Sequence, residues 1–213
     1  MIKRKTNHVF LGFALVLAFF IGLYVLYRVY VFETEPIGQI SGTELKLNGI
    51  TYIAEMNVKP IQQSCSQRVG RTQNGDVICK IDGESPRDFV YVIGDMWQCT
   101  YRRESLPART FTTDDIAMIV SGKRTSTDSE LIQQVVSDLN SGHSVPMTIP
   151  TGGTDYAQYG LEVRLKSLPG LTFPYLLIRQ GGHLYLETNM QNNTFINIDG
   201  TALQRWVEQS TSR

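Results

Sequence analysis

Three cysteines, Cys65, Cys79 and Cys99, are the side chains in this sequence best equipped for chemistry. Two kinds are open to them. In an oxidising compartment one pair can form a disulfide and leave one thiol over. Cys65 with Cys79 would close a short loop around Arg71 and Asn74, and it is the preferred pairing because Cys65 lies in a loop that a bridge would hold. Cys79 with Cys99 would instead tie two strands, and three small buried thiols are the remaining arrangement. A cysteine nucleophile needs a neighbouring His or a helix N-terminus to lower its pKa. No His lies close in sequence to any of the three.

His143, in Ser141-Gly142-His143-Ser144, and His183, after Gly181-Gly182, fall at turns or strand starts. A zinc site needs three or four ligands, and two isolated histidines do not supply them. The sequence has no Gly-x-Ser-x-Gly elbow, His-Glu-x-x-His helix, phosphate-binding glycine loop or Cys-x-x-Cys pair. Exposed turn histidines are the simpler reading, and no catalytic residue, metal or cofactor is expected. Polar ligand binding is the chemistry that remains. Thr151, Thr154, Asp155 and Tyr156, in a glycine-containing loop close to Tyr159, offer hydroxyls and a carboxylate for such a site. A plain connection is the alternative for that loop.

Charge narrows the partners. Lys+Arg and Asp+Glu each number 20, but residues 1–32 hold Lys3, Arg4, Lys5 and Arg28 and no acid. Removing those four leaves 16 basic against 20 acidic residues beyond the apolar run, a mildly acidic balance of −4. Nucleic-acid binding needs clustered Lys and Arg to release counterions, and no cluster is present. Nucleic acid is therefore excluded as an expected partner.

The apolar run from Val9 to Tyr27 is 19 residues long, unbroken by any charge, and resumes after Arg28 to Phe32. At 1.5 Å per residue this spans a hydrocarbon core of roughly 30 Å. Three cations precede it, Glu33 and Glu35 follow it, and Tyr24, Tyr27 and Tyr30 mark one interface. The expectation is a single-pass anchor over 9–32, with a cytoplasmic stub at 1–8 and everything beyond the span outside the cell membrane. A cleaved signal peptide fits less well, because the run is long and lacks small residues at its end. No Cys stands there for lipid attachment either.

The elements that must position the candidate residues follow from local pattern. Residues 33–43 (ETEPIGQISGT) read as an irregular linker. Residues 44–107 read as a small β-rich domain, with Asn48-Gly49 as a hairpin turn. If Gly94-Asp95 forms the next loop, Val92 faces Trp97 and Val90 faces Cys99. Residues 108–213 read as an α+β domain. Its expected elements are a short helix reaching Val120, a helix behind a Thr127/Glu130 capping box, three or four antiparallel strands, and a last helix over about 201–209 carrying Leu203, Trp206 and Val207. The fold class is thus α+β: an N-terminal transmembrane helix, an antiparallel β-rich segment, then helices packed on an antiparallel sheet.

Two stretches have a shared cadence. Val69-Gly70-Arg71-Thr72 through Cys79-Lys80-Ile81-Asp82-Gly83 to Asp95-Met96-Trp97 is one, and Leu168-Pro169-Gly170 with Phe173-Pro174-Tyr175 and Gly182 to Tyr185 is the other. Both resemble segments of uncharacterised membrane-anchored and lipoprotein-type proteins of Gram-positive bacteria. The resemblance covers about half the chain and implies an extracytoplasmic bacterial domain, with no functional residue carried over. The function expected is a non-enzymatic interaction module that meets another envelope protein. A hydrolase of envelope or peptide material and a ligand-sensing accessory subunit are the alternatives.

Overall fold

The computed structural model describes residues 3–107, 110–140, 145–146, 156–189 and 194–209. Helix α1 (Lys3–Thr34) contains one stretch, Gly12–Tyr30, long and apolar enough to cross a membrane, and none of that stretch is buried against the rest of the chain. Phe13, Leu15, Phe20, Tyr24 and Leu26 all stand exposed around it. A surface helix of a water-soluble protein carries its apolar residues on one stripe; this helix carries them all round.

The segment read as an irregular linker is structured. α1 continues to Thr34, and β1 (Ile37–Ser41) begins three residues later. Pro36 precedes the strand, where a missing N–H costs nothing, and its carbonyl accepts from the Arg71 amide at 2.9 Å. Gly38 serves a close approach, not a turn: a Cβ there would stand 2.7 Å from Ile78 Cδ1 and 2.8 Å from Leu45 Cδ1. Gly42, at φ +60, makes the hairpin turn into β2 (Glu44–Leu47).

β3 (Ile50–Glu55) follows the Asn48-Gly49 turn, whose φ values of 51° and 76° are those a tight hairpin requires. After the two-residue β4 (Lys59–Pro60) come β5 (Arg68–Thr72), β6 (Val77–Lys80), β7 (Phe89–Ile93) and β8 (Gln98–Arg103). Strands β1, β2, β3, β8, β7, β6 and β5 form a closed barrel, sealed by the parallel pairing of Ile37 with Arg71. Leu45, Leu47, Tyr52, Ile78, Val90, Val92 and Tyr101 fill its interior. β7 has no polar position because both its faces are covered. Val90 and Val92 point into the barrel, while Phe89 and Tyr91 point out into a second core.

The β7–β8 register differs from expectation by two residues. Val92 faces Cys99 and Val90 faces Tyr101, because the turn takes in Gly94–Trp97 and closes with the Gly94 amide donating to the Trp97 carbonyl at 2.9 Å. The short helix expected before Gly122 is a strand, β9 (Ile116–Ser121), which returns through β10 (Arg124–Ser126). Its β-branched residues and the turn at Gly122, φ +58, favour that hairpin over a helix of under two turns.

α2 (Ser129–Asn140) starts at Asp128, whose Oδ1 accepts from the Leu131 amide at 3.0 Å, so the cap sits one residue after Thr127. β11 (Val145–Pro146), β12 (Ala157–Leu165), β13 (Leu171–Gln180), β14 (His183–Asn189), β15 (Thr194–Asn197) and α3 (Ala202–Glu208) complete the chain. Thr201 caps α3 by accepting from the Gln204 amide at 3.1 Å. The second sheet runs in the order β10-β9-β12-β13-β14-β15-β11, with β4 added against β13. The fold is α+β, and the closed barrel within it is a feature that local pattern did not announce.

Barrel and sheet share one hydrophobic core. It joins Cys79, Ile81, Phe89 and Tyr91 of the barrel to Leu161, Phe173, Leu186 and the α2 and α3 residues Leu131, Val135, Leu203 and Val207. Gly170, in the turn between β12 and β13, is clasped from both sides. Its amide donates to Glu84 Oε1 at 3.0 Å, and its carbonyl accepts from the Ile61 amide at 2.9 Å.

Candidate functional site

A cleft of about 540 Å³ opens beside the end of β1 and the edge of β8. Strand lengths create it. β3 pairs with β8 only as far as Glu55 opposite Thr100, whereas β8 continues to Gln98 alongside β7. Gln98 and Cys99 therefore run past the end of β3. Neighbouring strand residues point their N–H and C=O groups to opposite sides, so one of these two presents its main chain to the vacated side.

The mouth is apolar and exposed. Met96 is 98% exposed, Met56 54% and Trp97 40%, and both Met56 and Trp97 line the cleft. Gly94 positions the indole: a Cβ there would overlap Trp97 Nε1 and stand 2.8 Å from Asp76 Oδ1. Val58 and Ala54 extend the apolar lining inward.

The floor is polar. Thr100 is 1% exposed, and its Oγ1 has no hydrogen-bond partner among the described residues. Tyr91 donates its hydroxyl to Gln98 Oε1, and the Cys99 thiol donates to the Thr100 carbonyl at 3.3 Å. Burial pushes the pKa values of Tyr91 and Cys99 up, and chiefly burial takes Tyr101 to about 12. All three stay neutral at pH 7. Glu55 is matched by the Arg102 guanidinium. Lys59, exposed at the rim, has no ion pair among the described residues. The cleft thus combines an apolar mouth, the Lys59 cation at its rim and the Asp76 carboxylate beside the Trp97 indole.

The other candidates are dispersed. Cys65 and Cys79 form a disulfide, with Cα atoms 5.4 Å apart, that ties the loop before β5 to the outer face of β6. Cys99 is the free thiol. Thr151, Thr154, Asp155 and His143 lie outside the described residues. Tyr156 is half-buried ahead of β12, its hydroxyl accepting from Gln158 Nε2. His183 Nδ1 pairs with Asp199 Oδ2, while Asp199 Oδ1 accepts from the Leu184 amide at 2.6 Å. Partial burial acts to raise the Asp199 pKa, but the hydrogen bonds to His183, Leu184 and Asn197 outweigh it and hold the carboxyl below its usual value. Among the described residues no group of three or more His, Cys, Asp or Glu side chains is placed to hold a metal ion.

Met96 and Trp97 stand in the turn before β8, whereas a Gly94-Asp95 loop would place Trp97 on the strand opposite Val92. Two large apolar side chains after Gly94-Asp95 were the signal available: in a turn they have nowhere to go but outward. Compared with family models, curated proteins and solved structures, the chain matches none.

Proposed function

We propose that this protein is a membrane-anchored, non-enzymatic binding module whose barrel cleft receives a segment of another extracytoplasmic protein. The observation that carries this reading is the exposed pair Met56 and Trp97 lining a concave site, with Met96, 98% exposed, next to Trp97 in the turn. Exposed apolar groups gathered at a cavity mark interaction surfaces, and flexible methionines adapt to varied side chains. Trp is among the residues that most often dominate binding energy.

The anchor in this reading is α1, with Lys3, Arg4 and Lys5 on the cytoplasmic side and the barrel outside. The Cys65–Cys79 disulfide suits an oxidising exterior. Between Phe32 and Ile37 the chain can span at most about 20 Å, so the barrel is held near the bilayer.

A photo-crosslinking residue at Met96 in intact cells tests the proposal. The expected result is one dominant envelope protein, captured by the otherwise wild-type chain and lost with Met56→Ser and Trp97→Ala together. Capture unchanged by those substitutions would remove the cleft from the interaction.

A further inference from the structure

The chain between β4 and β5 supplies part of the cleft wall, and burial does not hold it there. Residues 61–68 are all exposed, so no side chain of this segment is anchored in either core. Hydrogen bonds secure its two ends. The Ile61 amide donates to the Gly170 carbonyl at 2.9 Å, and the Gln67 carbonyl accepts from the Lys80 amide at 2.8 Å. Ser66 donates its hydroxyl to Asp82 Oδ1, an exposed bond for which water competes. Between those ends, Gln62 bonds only within the loop, to Ser64. Among the described residues, the only covalent or hydrogen-bonded tie from 62–65 to the barrel is the Cys65–Cys79 disulfide. Gln63, two residues before Cys65, lines the cleft together with the free thiol of Cys99. Ordering a chain segment costs conformational entropy, and over 62–65 only the bridge offsets that cost. The bridge is also open to attack. Cys65 stands exposed while Cys79 is 1% exposed, so Cys65 Sγ is the sulfur a reductant reaches.

Resting on the binding-module reading above, we infer that the Cys65–Cys79 disulfide is a redox latch on the cleft. Oxidised, it holds the Gln63 wall in place for a partner; reduced, it releases that wall and the cleft loses its grip. The reductant is a dithiol, free or carried by an exported oxidoreductase. One of its thiolates attacks Cys65 Sγ, the S–S bond breaks, and the electron pair leaves on Cys79 Sγ, which takes up a proton. The second thiolate then attacks the reductant's own sulfur in the mixed disulfide and frees Cys65, which is protonated in turn. Two electrons pass to the protein, and the reductant departs as its disulfide. Ile61 and Gln67 keep their hydrogen bonds, so the wall moves and the barrel stays closed.

Cys99 reports on the wall directly. The full chain in lipid nanodiscs is treated with iodoacetamide in three forms: oxidised wild type, wild type reduced with dithiothreitol that is then removed, and Cys65→Ser/Cys79→Ser. Alkylation of Cys99 is followed by peptide mass spectrometry, which separates it from the other two thiols. Its rate is expected to be at least fivefold faster in the reduced and double-variant proteins than in oxidised wild type. Leu203→Ala, a core truncation in α3 of similar destabilisation, should change that rate less than twofold. In a Trp206→Phe background, which leaves Trp97 as the reporter of the two tryptophans, reduction should also raise acrylamide quenching of the indole at least twofold. Equal Cys99 rates with and without the bridge, or an equal acceleration by Leu203→Ala, would overturn the inference. Photo-crosslinking from Met96 separates it from the reading it rests on. Capture that needs Trp97 but is the same in wild type and Cys65→Ser/Cys79→Ser would leave the binding module standing and remove the latch. Faster Cys99 alkylation on reduction, with no capture in any form, would support the release of the wall and remove the module.

Discussion

At the scale of single residues, two side chains owe their geometry to contacts that one substitution removes. Gly94 is the platform for the Trp97 indole, and its amide closes the turn. Gly94→Ala should swing the ring outward and red-shift its fluorescence in the Trp206→Phe background, while the Gly94–Trp97 turn persists. Unchanged emission would show that the indole does not depend on that platform. Asp199 links the start of β14 to the turn before α3 through His183 and the Leu184 amide. With its native pKa lowered, its stabilisation is complete above the unfolded carboxylate value of about 3.9 and is lost as pH falls through the native value. Urea melts of Asp199→Asn should therefore show a deficit of ~1 kcal/mol near neutrality, shrinking as pH is lowered below about 4. A deficit that persisted in acid would assign the loss to shape instead of charge.

At the scale of elements, the junction between barrel and sheet rests on a glycine held by two hydrogen bonds. Glu84 Oε1 accepts from the Gly170 amide in a buried setting. Removing that carboxylate by Glu84→Ala leaves a buried N–H unsatisfied, so the expected cost is about 1–3 kcal/mol in thermal or chemical melts. No side chain is tolerated at Gly170, because a Cβ would overlap the Asp82 carbonyl oxygen. The Asp82-Gly83-Glu84 loop and the Pro169-Gly170 turn, far apart in the chain, thus act as one structural unit. Loss of less than 0.5 kcal/mol in Glu84→Ala, well under that range, would show that the amide finds another acceptor.

At the scale of the whole molecule, the disulfide and the proposed anchor belong to one address. Cys65 and Cys79 are separated by 14 positions, and closing a loop of that size stabilises by ~3 kcal/mol through the unfolded chain. Cys65→Ser should lower the stability of the isolated protein by about that amount. Reducing the wild-type protein should reproduce the loss, and a variant as stable as wild type under oxidising conditions would show that the bridge constrains little.

Local sequence determined whatever depends on neighbours along the chain. Nineteen apolar residues are a membrane-length helix wherever they occur, since length and composition alone set that outcome. Asn48-Gly49 makes its tight turn for the same reason, and Leu131, Ile132 and Val135 recur on one face of α2. Tertiary structure decided the rest. The barrel closes by pairing Ile37 with Arg71, a parallel contact with no local signature, and so turned an expected linker into β1. Ile116–Ser121 lacks clean alternation because both its faces are partly covered, which is why the run imitates a helix. The cleft depends on β3 stopping at Glu55 while β8 runs on, a difference in strand length that only the packed sheet reveals.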